Sequence, residues 1–140
     1  MKYSGSSKFL NQMPKQYIIA GIGTEIGKTV CSAIITKALE ADYWKPVQAG
    51  NLTDGDAYWV QKWVPGTRVF ESTYALNNPL SPHTAAELDG IRIELNAFHL
   101  PETEQNLIIE LGLIVLIKAV SSNILGSKTE PYYETEDEML

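Results

Sequence analysis

The sequence predicts an α/β fold, a single domain with a mostly parallel sheet flanked by helices, and three observations carry that expectation. A short β-rich run, Gln16 to Ile22, stops at glycine and is followed by a helical pattern from Lys28 to Glu40. The run Asn106-Leu-Ile-Ile-Glu110 is apolar on consecutive residues and closes on one carboxylate, the pattern of a parallel strand buried on both faces. The chain of 140 residues, 44% hydrophobic and 20% charged, has the length of one domain and a composition able to bury a core.

Residues 1–15 read as a loose N-terminal extension, polar and without the apolar stretch of a signal peptide, with Met13 a candidate functional start. The domain proper is expected over residues 16–127. In its first helix Val30, Cys31, Ile34, Ile35, Ala38 and Leu39 recur at spacings of three and four, and are expected to form the face that lies on the sheet. Asp42 to Val47 reads as a second strand ending at Pro46, before a loop from Gly50 to Gly55. Asp54 is placed to cap a helix over residues 56–63, packed through Tyr58, Trp59 and Trp63.

Pro65-Gly66 breaks that helix, and Asn77 to Pro82 is a turn-rich connection. Ser81 and Pro82 read as the N-cap and first position of a short helix through Leu88. Ile91 to Thr103 carries no clear pattern and leads into the buried run ending at Glu110. A second apolar run, Leu113 to Val120, comes after only Leu111-Gly112. Two parallel strands need a crossover of about a dozen residues, so a segment is expected to be missing between Glu110 and Leu111. Residues 128–140 form an acidic segment, read as a solvated end.

The formal net charge is −6, with much of the acidic excess in the tail. That balance argues against a general nucleic-acid binder or a protein of anionic membrane surfaces, and leaves open a local basic site for phosphates. The lone Cys31 makes no internal disulfide and excludes a cysteine zinc cluster. It is expected as a small buried hydrophobe on its helix. The longest apolar run, around Leu113 to Ile117, is far short of the ~20 residues of a membrane helix, and the expected location is the cytoplasm.

The chemistry begins in Gly21-Ile-Gly-Thr-Glu-Ile-Gly27-Lys28-Thr29, between a predicted strand and a predicted helix. Successive backbone N–H groups at a helix N-terminus attract phosphate, glycines allow its close approach, Lys28 adds a full charge, and the Thr29 hydroxyl can ligate Mg²⁺. A strict phosphate-binding loop has glycine at position 22, where this chain has Ile22. Glu110 stands at the C-terminal end of an apolar strand, the ligand side of an open α/β sheet. Asp56, taken alone, reads as a helix-start residue.

The loop and the motifs downstream of it resemble the dethiobiotin synthetases, whose loop has the form Gly-Thr-x-Thr-Glu-x-Gly-Lys-Thr. Thr24, Glu25, Gly27, Lys28 and Thr29 match it, and further matches come in order: Tyr43-Trp-Lys45-Pro-Val47-Gln-Ala-Gly50, Gly55-Asp56-Ala57, Ser81-Pro82-His83 and Leu107-Ile-Ile-Glu110. The fold this resemblance implies is P-loop NTPase-like. It implies ATP as co-substrate bound by Thr24, Glu25, Ile26, Gly27, Lys28 and Thr29 with Asp56 and Glu110, and Mg²⁺ held by Thr29, Asp56 and Glu110. Lys45 is implied as the catalytic cation at the carbamate and the transferred phosphoryl group. The implied reaction takes 7,8-diaminopelargonate, CO₂ or bicarbonate and ATP to dethiobiotin, ADP and phosphate, in a homodimer with no nucleic-acid or membrane partner. His83 falls in the family's substrate-side loop and is assigned no catalysis, His99 matches no motif, and Ala49 replaces a serine that some members carry. The family's Gly-rich loop after Glu110 is missing here, and a second gap is expected between Ser127 and Lys128. Another P-loop amidoligase or ATPase, or a non-catalytic nucleotide-binding remnant, remains an alternative.

Overall fold

The computed structural model describes residues 13–21, 23 and 25–112. Their elements in chain order are β1 (Gln16–Ala20), α1 (Lys28–Ala38), β2 (Asp42–Trp44), β3 (Val47–Ala49), α2 (Asp56–Trp63), β4 (Val69–Phe70), β5 (Tyr74–Leu76), α3 (Pro82–Leu88), one 3-10 turn (Leu95–Ala97) and β6 (Leu107–Leu111). Four strands form a sheet in the order β1-β6-β2-β4, and β3 with β5 forms a second, two-stranded sheet. Among the described residues every pairing is parallel, as the apolar run ending at Glu110 predicts.

Strand alternation divides the core into two halves. Tyr43, Ile108, Tyr17 and Ile19 face α1 and α2, packing with Ala33 and Val60. Trp44, Leu107, Ile109 and Leu111 face the other way, toward Phe98 and the two alanines of α3, Ala85 and Ala86. Glu110 stands two residues after Ile108, so it shares the α1 and α2 side and emerges at the C-terminal end of the central strand. That register is what brings it to the site.

Several expectations are corrected. The stretch from Asp42 to Val47 is not one strand: β2 stops at Trp44 and β3 starts at Val47 in the other sheet. Pro46 has no N–H to donate, and its carbonyl accepts from Tyr74 N at 3.1 Å, so the chain changes sheets there and leaves Lys45 at the end of β2. On α1 the buried residues are Ser32, Ala33 and Thr36, whereas Val30 is 50% and Ile34 63% exposed and Cys31 is exposed. The reason is helical phase. Thr29 turns toward the site, and positions three, four and seven further on are carried under the helix with it.

Helix α2 has the predicted bounds, but its N-cap residue is Gly55, with no side-chain cap from Asp54. A Cβ on Gly55 would lie 2.7 Å from the Asn51 carbonyl oxygen, so the close loop selects glycine there. Its buried residue is Val60, while Tyr58 and Trp63 remain about half exposed. Helix α3 has the expected Ser81-Pro82 start, with Ser81 Oγ 2.9 Å from Thr84 Oγ1.

β6 runs through Glu110 to Leu111, which pairs with Ala20 and is buried, so the strand extends one residue past its expected end. The carboxylate read as a strand end because it is charged, yet the strand's other face continues into the core for one more residue. At the other boundary, Lys15 is already tied to the sheet, its carbonyl accepting from Leu107 N at 2.8 Å. The apolar run after Leu113, the join at Ser127 and the acidic segment lie outside the described residues. Among the described residues no helix is long and apolar enough to cross a membrane.

Candidate functional site

The loop between β1 and α1 ends on Gly27 at φ +88, a left-handed conformation that costs glycine little and turns the chain into the helix. No side chain caps α1, which leaves its first-turn N–H groups directed out of the helix end toward the loop. The Lys28 side chain reaches back across the loop and donates from Nζ to the Gly23 carbonyl. Positive charge and N–H dipoles therefore converge on one concave surface, the arrangement that binds a phosphate.

Beside it, three oxygen-bearing side chains meet. Thr29 Oγ1 lies 2.6 Å from Asp56 Oδ1 and 3.1 Å from Glu110 Oε1, joining α1, α2 and β6 at one point. Lys45 closes the group, paired with Asp56 and 3.6 Å from Glu110 Oε1. The Glu110 side chain is fully buried, and its second oxygen accepts from the Tyr43 hydroxyl at 3.0 Å. Burial, joined by the nearby Glu110 charge, pushes the Tyr43 phenol well above its ordinary range, so it remains a protonated donor. Burial lowers Lys45 from the ordinary lysine value, Glu110 opposes that shift, and the Lys28 charge adds to it.

These groups open into one cavity of about 540 Å³. Lys28, Thr29, Lys45, Asp56 and Glu110 form its polar end, and Val47, Ala49, Leu80 and Pro82 line an apolar wall. That wall owes its position to Gly50, which is held at φ +70, where an added Cβ would sit 2.5 Å from Pro79 Cβ.

Of the residues named from the sequence, Glu25, Gly27, Lys28, Thr29, Lys45, Asp56 and Glu110 all border this cavity. Thr24 lies outside the described residues, and Ile26 is 56% exposed. Ala49 lines the wall, whereas His83 does not border the cavity; its Nε2 is 3.4 Å from Ser81 Oγ. Sequence reading missed Tyr43, Gln48 and Trp59. A signal for Tyr43 existed: it precedes Lys45 by two, the strand spacing that sends both side chains to one face.

A family model described as an AAA domain matches residues 15–121. The chain belongs to this family. Within it, the chain is similar to proteins named ATP-dependent dethiobiotin synthetase BioD. The one from Christiangramia forsetii is 52% identical over 111 residues, 76% of this chain and 54% of that protein. That from Chlamydia pneumoniae is 43% identical over 112 residues, 80% of this chain and 51% of the relative. A third, from Cytophaga hutchinsonii, is 46% identical over 115 residues, 80% and 55% of the two chains. The chain thus spans about half the length of the curated relatives it matches. The described α/β domain, with its glycine-rich loop between strand and helix, accords with the P-loop NTPase-like class of this AAA-domain family.

Proposed function

We propose that the chain carries the nucleotide and phosphoryl-transfer site of an ATP-dependent dethiobiotin synthetase, acting in the cytoplasm as a homodimer. The observation that carries this reading is the meeting of the Lys28 loop with Thr29, Lys45, Asp56 and Glu110 in one cavity. Its similarity to the relatives named for that activity supplies the substrate class.

The loop from Thr24 to Thr29 would bind the ATP phosphates through backbone N–H groups and Lys28. The donor set of Thr29, Asp56 and Glu110 fits Mg²⁺, because all its atoms are hard oxygens, and the partly exposed Asp56 leaves room for waters. Bound there, Mg²⁺ would offset negative charge on the phosphates. The apolar wall suits the aliphatic chain of 7,8-diaminopelargonate, and Lys45 faces the polar end where its amines would lie.

One amine adds to CO₂ and gives a carbamate. A carbamate oxygen attacks the γ-phosphorus, the bond to the bridging oxygen breaks, and ADP leaves. The second amine then attacks the carbamate carbon, closing the ureido ring and expelling phosphate with the former carbamate oxygen. Phosphoryl transfer asks chiefly for alignment and charge neutralisation. Lys45 supplies charge at the carbamate, and Lys28 at the phosphates.

The test is ADP release by the purified chain with diaminopelargonate and bicarbonate added singly and together. Release that requires both supports the reading. Release indifferent to either points to another ATPase, and nucleotide binding without release to a non-catalytic nucleotide-binding remnant.

A further inference from the structure

The two oxygens of Glu110 have different partners. Oε1 faces the open cluster, 3.1 Å from Thr29 Oγ1 and 3.6 Å from Lys45 Nζ, while Oε2 is turned inward to the Tyr43 hydroxyl at 3.0 Å. Tyr43 is itself fully buried, its ring packed in the cluster of Ala33, Val60 and Ile108, so the hydroxyl sits on a support formed by both helices and the sheet. A carboxylate without that inward partner would be free to rotate and offer both oxygens to Lys45, an arrangement that competes with any other cation at the cluster.

We propose that Tyr43 is a positioning residue, whose hydroxyl holds Oε2 of Glu110 so that Oε1 alone is presented to Thr29, Lys45 and the ion bound between them. This rests on the Mg²⁺ role proposed for Thr29, Asp56 and Glu110. The side chain touches no substrate and acts only through Glu110. Its phase on β2 is set by register, since Tyr43 pairs with Ile108 and Glu110 lies two residues later on the same face.

The test replaces Tyr43 by phenylalanine in the full chain, which removes one oxygen and keeps the ring. Binding of ADP is followed by calorimetry while Mn²⁺ is titrated as a probe of the ion site, and the ¹³Cδ resonance of Glu110 is recorded without ligands. The expected result is unchanged metal-free ADP binding, a shifted Glu110 resonance and a Mn²⁺ midpoint raised about tenfold, the loss of one hydrogen bond to a charged group. An unchanged midpoint overturns the proposal. Should Y43F fail to fold, E110Q is compared with the Y43F/E110Q double variant, in which no carboxylate is stranded. Equal midpoints in those two support action through Glu110, and a further loss in the double variant overturns it. Wild-type protein that binds no ADP overturns the proposed function instead. The ligand-free Glu110 resonance then decides the positioning role: moved by Y43F, it upholds that role, and unmoved it ends it.

Discussion

Lys28 and Lys45 both bring positive charge to one cavity, Lys28 from the start of α1 and Lys45 from the end of β2. Lys28 folds over the loop and donates to the Gly23 carbonyl, which fits the role proposed for it at the phosphates. Replacing it by alanine is expected to abolish ATP binding, read by calorimetry; undiminished affinity would remove the phosphate-loop account. Lys45 is buried and faces two carboxylates at the end of β2. Lys45→Gln is therefore expected to keep the fold and ADP binding while turnover falls by about 100-fold or more, the scale of losing one charge-stabilising donor. Near-normal turnover would reduce Lys45 to a structural residue. These two lysines, with Thr29, Asp56 and Glu110, were legible in the sequence because each sits in a short motif next to a strand or helix end. For Tyr43 the sequence shows only its shared face with Lys45, because its partner Glu110 is 67 positions away and only the sheet register joins them.

The helices and strands show where linear reading loses its hold. The apolar periodicity of α1 is real, but Val30 and Ile34 lie outward because Thr29 fixes the helix by its contact with Asp56 and Glu110. Local hydrophobicity carries no information about that anchor. Likewise Lys45-Pro46 reads as the close of one strand, although the proline's missing donor moves the chain from one sheet to the other. The short β3-β5 pair then depends on the turn at Gly50, whose backbone is left-handed and whose missing Cβ admits Pro79. Gly50→Ala should lower the unfolding free energy by about 2–4 kcal/mol, combining left-handed strain with overpacking. Denaturant unfolding reads this directly, and a change below about 0.5 kcal/mol would show that the loop relaxes freely.

In the molecule as a whole, the parallel order β1-β6-β2-β4 sets the C-terminal ends of β1, β6 and β2 side by side. The phosphate loop leaves the first, Glu110 stands near the end of the second, and Lys45 comes directly after the third. Ligand chemistry at the carboxyl ends of an open parallel sheet is a consequence of that topology. The chain spans about half of its relatives, so its own chemistry needs a direct reading. Where ATP phosphorylates a carbamate, the fate of one oxygen reveals it. Reaction with ¹⁸O-labelled bicarbonate in unlabelled water, stopped before label washes out, should yield phosphate carrying one labelled oxygen, because the ring-closing amine expels the oxygen that CO₂ supplied. Phosphate free of label, formed while ADP accumulates, would show that water accepts the phosphoryl group and would contradict the account.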